Sequence, residues 1–169
     1  MSLIADLDRI ALQEQRLQFD HFDADTAWTL GNRLREAALT AGHALAIEIQ
    51  FHGFPLFHCA MPGTTPENAD WLRRKRNMVQ RFHKSSYAMA LFLLQRGSTL
   101  AERYSLPGVD YVAAGGGFPL RLRGVGVIGS VCVSGLMQRD DHEFIVSVLA
   151  QMLAVPQAEV ALADQEHPG

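Results

Sequence analysis

The sequence predicts an α/β domain of the α+β kind, and three observations carry that prediction. Apolar residues recur at a period of two over 44–61 and again over 125–134, the spacing of strands. In the segments around them the period is helical. The order that results is helix, helix, hairpin, helices, hairpin, helix. The chain is organised around Gly115-Gly116-Gly117-Phe118-Pro119-Leu120, which leads through Arg123-Gly124 into the strand 125–134 and then to Asp140-Asp141. In that strand Val125, Val127, Val131 and Val133 share one face, and Gly126, Ile128, Ser130, Cys132 and Ser134 share the other. The second face is nearly bare, which suits the close approach of a packed helix, a partner subunit or a flat ligand.

Taken in order, Leu3, Leu7, Ile10 and Leu17 mark an amphipathic helix from Ser2 to about Leu17. A second helix starts at Asp23 or Asp25, both good N-caps, carries Ala27, Leu30, Leu34 and Ala38 on one stripe, and ends at Gly42. Leu45, Ile47, Ile49 and Phe51 then alternate with Ala46, Glu48 and Gln50, and His52-Gly53 turns the chain into a second strand over 56–61. Thr64-Thr65-Pro66-Glu67 opens a helix with Trp71, Leu72, Met78, Val79 and Phe82 on its apolar side. Ser85-Ser86 caps another, whose run 88–94 is apolar all round and predicts a central position. The stretch 98–108 has no pattern, and 111–114 suggests a short strand before the glycines. Asp140, with Glu143 three residues on, caps the last helix, which stops at Pro156. Gly129 lies on the valine face, so a helix is expected to cross there.

At 169 residues, with 48% hydrophobic and 20% charged, the chain has the size of one globular domain, with a core over about 3–155 and a frayed tail over 156–169. A net charge of −3 argues against bulk binding to nucleic acid. No apolar run is long enough for a bilayer, and the N-terminus has acids where a signal peptide has cations, so a cytoplasmic protein without membrane contact is expected. Two cysteines, Cys59 and Cys132, form no CxxC pair, and no metal site is predicted. The run Arg73-Arg74-Lys75-Arg76, with Arg81 and Lys84, has two readings: a solvated face with ion pairs, or an anion-binding or partner-binding surface.

The order of elements, together with Gly116-Gly117-Phe118-Pro119-Leu120, the segment 129–135 and Asp140-Asp141, resembles the HbpS-like haem-degrading domain family of the GlcG and PduO C-terminal type. The segment 71–82 followed by Ser85-Ser86-Tyr87 is similar to that family's uncharacterised branch, found in bacteria and fungi. The resemblance implies a profilin-like fold with an antiparallel sheet of about five strands flanked by helices. It also implies homo-oligomers built from dimers, and haem as a candidate cofactor. It carries no haem ligand over to a numbered residue.

Of the 7 histidines, none stands in His-x-x-His or Glu-x-x-His spacing, so an ordinary structural role is expected for each. Gly-x-Ser-x-Gly, the dinucleotide fingerprint and the phosphate loop are absent, and no catalytic residue is assigned. A small-ligand-binding protein is the first expectation. Its ligand would touch the loop Gly115, Gly116, Gly117, Phe118 and Pro119, and Ser130 and Ser134 on the bare strand face. Arg74, Arg81 and His83 beside the basic run, and His142 in the last helix, complete the set. The alternative is an oligomeric interaction module without catalysis, suggested by the apolar excess of the 88–94 run and a detachable first helix. An enzyme ranks third.

Overall fold

The computed structural model describes residues 2–164. Among them are four strands, β1 (Ala46–Phe51), β2 (Phe54–Ala60), β3 (Gly117–Leu122) and β4 (Gly126–Ser134). They pair antiparallel in the order β2-β1-β4-β3. The expected α+β class is therefore observed, with four strands rather than about five. The missing strand is 111–114. The chain just before it is pinned to a helix by side chains: Arg73 donates to the Val109 carbonyl at 2.7 Å, Arg74 to Gly108 at 2.9 Å and Asn77 to Asp110 at 2.7 Å.

Helices cover both faces of the sheet. On one lie α2 (Ala24–Ala41) and α6 (Gln138–Met152), and on the other lies α3 (Pro66–Phe82). Of the two N-caps expected for α2 the structure uses Asp23, and the cap is reciprocal: Asp23 accepts from the Thr26 N–H at 2.8 Å, and Thr26 Oγ1 accepts from the Asp23 N–H. Gly42 closes this helix in the left-handed conformation, φ 73°. The main core, with Leu30, Leu34, Ile47, Ile49, Val131, Val133, Ile145 and Leu149, fills the space between α2, α6 and the sheet. Beneath α3 the core is thin, Ala46, Leu72 and Cys132. Small side chains on that strand face let the α3 backbone come close, so the bare face of β4 serves a packed helix, the first of the alternatives the sequence offered.

The alternation in β4 does not run its full length. Leu120 opposes Gly129 while Arg121 opposes Val127, leaving Ile128 as an extra residue that packs on the main core. Val125 precedes the strand and is 70% exposed. The helix expected to cross at Gly129 is corrected to a strand. A Cβ there would collide with the Gln50 carbonyl and lie 3.1 Å from Cα of Phe51, both on β1.

A second apolar cluster forms outside the sheet. The first helix, α1 (Leu3–Arg16), packs with α4 (Ser86–Arg96) through Ile10, Tyr87, Ala88 and Leu91. This placement corrects the central position expected for the 88–94 run: α4 is one-sided, with Leu94 68% exposed. The unpatterned stretch contains α5 (Leu100–Tyr104), capped by Thr99. The helix expected to start at Asp140 starts at Gln138 instead, with both aspartates in its first turn. The tail is also corrected over its described part. It forms α7 (Gln157–Val160), which packs on α1 and α6; Val160 joins the main core and Leu162 is buried against α1 and α4. His167 lies outside the described residues.

Candidate functional site

The glycine loop is packed by protein on several sides. A Cβ on Gly115 would collide with the Gln138 carbonyl of α6. One on Gly116 would lie 2.6 Å from Lys75 Nζ and from the Val133 carbonyl, and one on Gly117 would lie 3.1 Å from the Lys75 carbonyl and from Ser86 Oγ. The three glycines thus let β3, α3, α4 and α6 converge. Ser86 Oγ accepts from the Gly117 N–H at 2.9 Å. Phe118 and Pro119 are buried, as are Ser130 and Ser134, and Ser134 accepts from Asn68 at 3.2 Å.

At this convergence Lys75, 3% exposed, donates to Asp141 Oδ2 and to the Val133 carbonyl, both at 3.0 Å. Burial pushes the Asp141 carboxyl up from its usual range, and Lys75 together with the Leu136 and Gly135 N–H groups pulls it back down. The rest of the basic run is paired as well. Arg73 bridges Asp70 and Asp110, Arg74 holds Gly108, and Arg76 binds Glu48 at 2.7 Å. The ion-pair reading of this run therefore describes Arg73 and Arg76, whereas Arg74 bonds a carbonyl and Lys75 is interior. Periodicity carries that signal, since Lys75 stands three residues after Leu72 and three before Met78 on the apolar stripe.

His142 is fully buried beside the rings of Tyr87 and Phe118. Gln13 fixes its tautomer. The Gln13 amide nitrogen donates to Val160 O and Glu143 Oε1, both at 2.8 Å, so its oxygen is left to accept from His142 Nε2–H at 2.7 Å. Nδ1 then keeps a lone pair without a partner, and burial pushes the imidazole down to about 3. Arg81 and His83 are exposed, and the His83 ring stacks on His52 at 6.0 Å. The sequence-predicted residues therefore fall into a closed interior group, an exposed pair at the end of α3, and Arg74, half-buried on α3 and apart from both.

A concave feature lies elsewhere. A cleft of about 590 Å³ opens between α1, the end of α3, α4, α5 and β3. Leu7, Ala11, Ala88, Met89 and Phe92 make it apolar, and Tyr104, Lys84, Glu14 and Arg121 stand in its wall. Glu14 is 7% exposed, and burial pushes its carboxyl up against the opposing pull of Arg121 and the Ser85 N–H. Arg121 donates to the His83 carbonyl at 2.7 Å but reaches Glu14 only at 3.4 Å, and its Nε–H is buried without an acceptor. Sequence reasoning missed Glu14 and Arg121. Glu14 lies four residues after Ile10 and three before Leu17, on the buried stripe of α1, which is the signal that was available.

Fold and cleft together define a small α+β protein with one four-stranded antiparallel sheet, helices on both faces and a ligand-sized opening at its edge. The chain belongs to the family described as haem degrading protein HbpS-like, whose model matches residues 22–150. It is 52% identical over 163 residues to a UPF0303 protein of Burkholderia cenocepacia, covering 96% of this chain and 99% of that one. Among solved structures it is similar to Ybr137w protein, at 26% identity and a TM-score of 0.81, over 88% of this chain and 87% of the other. The PduOC:Heme complex shares the fold at 20% identity and a TM-score of 0.63, over 73% and 89% of the two chains.

Proposed function

We propose that this protein is a small-ligand-binding protein whose ligand is haem or another tetrapyrrole, working as a cytoplasmic homo-oligomer. The observation that carries the reading is the 590 Å³ cleft, whose size and apolar lining with a few charged groups suit a small organic molecule. Membership of the HbpS-like family and the shared fold of a haem complex support the choice of ligand. The donor set of the cleft fits haem. Tyr104 and Met89 offer oxygen and sulfur of the kinds that ligate haem iron, and Lys84 and Arg121 offer cations to propionates. When bound, haem would supply the redox and oxygen chemistry of its iron. The chain's own part is to hold the ring against α4 and keep water from its apolar face.

The residues singled out at the glycine loop stay in the proposal as the frame that fixes α3, α4 and α6, with His83 at the cleft rim through its carbonyl. The buried His142 bonds to Gln13 and contacts the rings of Tyr87 and Phe118, so its part in this reading is to support the interior behind the cleft. Among the described residues no group of three or more His, Cys, Asp and Glu is placed to hold a metal ion. Titration with haemin, followed in the Soret band, tests the reading. A saturable shift with Kd below about 10 μM, an affinity near −7 kcal/mol, is expected. The absence of any saturable shift would refute haem as the ligand.

A further inference from the structure

The HbpS-like match begins at residue 22 and ends at 150, so α1 and α7 both lie outside it. These two segments hold each other. Arg16 pairs with Glu159 at 2.7 Å, Arg9 donates to the Glu159 carbonyl at 2.6 Å, and Gln13 donates to the Val160 carbonyl. Arg139 ties both to α6 by donating to Asp6 at 2.8 Å and to the Ala163 carbonyl at 2.7 Å. One wall of the cleft, with Leu7, Ala11 and Glu14, is therefore built by a helix that the shared core does not include.

On the facing wall Arg121 is a cation with unused donors. Its single short bond goes to a carbonyl, its contact with Glu14 is long, and Nε–H has no acceptor. Lys84 stands beside it, exposed and with no ion pair among the described residues. Glu14 already accepts from Ser85 and Arg121. A ligand that completes this arrangement brings an anionic acceptor to Arg121 and Lys84 and an apolar body to Ala88, Met89 and Phe92. Asp8, exposed on α1, also lines the cleft, so its two acids and two cations balance, and what favours an anion is the Arg121 donor that lacks an acceptor.

We infer that the cleft walled by α1 is selective for small amphipathic anions, an aromatic or aliphatic body bearing a carboxylate or sulfonate, with Arg121 as the anchor. This rests on the small-ligand reading but does not require haem. The test uses two fluorescent probes of one shape, 8-anilino-1-naphthalenesulfonate and the neutral N-phenyl-1-naphthylamine, titrated into the whole protein. The anion is expected to bind saturably, one per chain, and at least about tenfold more tightly than the neutral probe. Arg121→Gln, whose amide retains a donor for the His83 carbonyl, and the exposed-site Lys84→Gln should each weaken the anion and leave the neutral probe unchanged. Ala11→Trp, which fills the cleft from an exposed helix position, should abolish both. Equal affinity for the two probes, or anion binding untouched by Lys84→Gln and Ala11→Trp, would overturn the inference. Haemin titrated into the same variants separates the two ideas: haemin binding that survives Ala11→Trp leaves the haem reading standing and removes the cleft from it. Anion binding in a protein that ignores haemin supports the cleft and removes haem.

Discussion

Acid should expose the cost of burying a neutral histidine. His142 is 0% exposed, its one hydrogen bond uses Nε2–H, and its Nδ1 lone pair meets no donor. Burial, aided by the nearby Arg139, pushes the ring down to about 3, whereas a histidine in the unfolded chain titrates near about 6.5. Between those two values the unfolded chain binds the extra proton, so stability is lost as the pH falls through the window. Each pH unit there is worth about 1.4 kcal/mol, and acidification from pH ~7.5 to ~4.5 removes ~2–3 kcal/mol through this one residue. Asp141, Glu14 and Glu143 act with the opposite sign. Burial raises each carboxyl, so the folded chain holds their protons longer and gains stability as the pH falls through their own windows. Urea midpoints of the native protein and of His142→Gln, followed by tryptophan fluorescence at several pH values, isolate the histidine. The advantage of the native protein should shrink by ~2–3 kcal/mol between pH ~7.5 and ~4.5. An advantage that stays constant across that range would refute a buried neutral imidazole.

The glycine convergence and its ion pair give two further predictions, and Gly129 on β4 gives a third. Lys75→Met leaves the Asp141 carboxylate buried without its cation and should cost about 3–5 kcal/mol in urea unfolding, with part recovered in acid as Asp141 takes up its proton. A loss below about 1 kcal/mol would mean the pair is solvated. Gly116→Ala puts a Cβ 2.6 Å from Lys75 Nζ at a backbone φ of 122°, and a loss of at least about 2 kcal/mol, read as a lower Tm, is expected; an unchanged Tm would contradict that packing. Gly129→Val should lower soluble yield and Tm by forcing β1 away from β4, and normal expression with an unchanged Tm would show that the strands have room there.

Local rules made the secondary structure legible wherever a cap or a period was clean. Asp23 and Gly42 bound α2, and the hairpin turns at His52-Gly53, because each signal acts within a few residues. The glycine loop was recognisable as the organising stretch, but its purpose was not. Gly115, Gly116 and Gly117 are small because of Gln138, Lys75 and Ser86, which are 23 to 42 residues away and reach them only after folding. Val125, Ile128 and Gly129 show a second limit, since one bulge opposite Leu120 and Arg121 changes which side chains face the core. The cleft needed α1, α4, α5 and Arg121 brought together, and no spacing in the sequence encodes that meeting.

Hydrogen exchange of the whole protein with and without haemin at about 50 μM, a level several times the Kd expected for a specific ligand, tests the central claim most directly. Binding in the cleft predicts slower exchange in α1, over Leu3–Arg16, and at the start of α4, with little change in α2 and β2 on the far side of the sheet. Exchange that haemin leaves unchanged throughout the chain, or protection confined to α2 and β2, would contradict it.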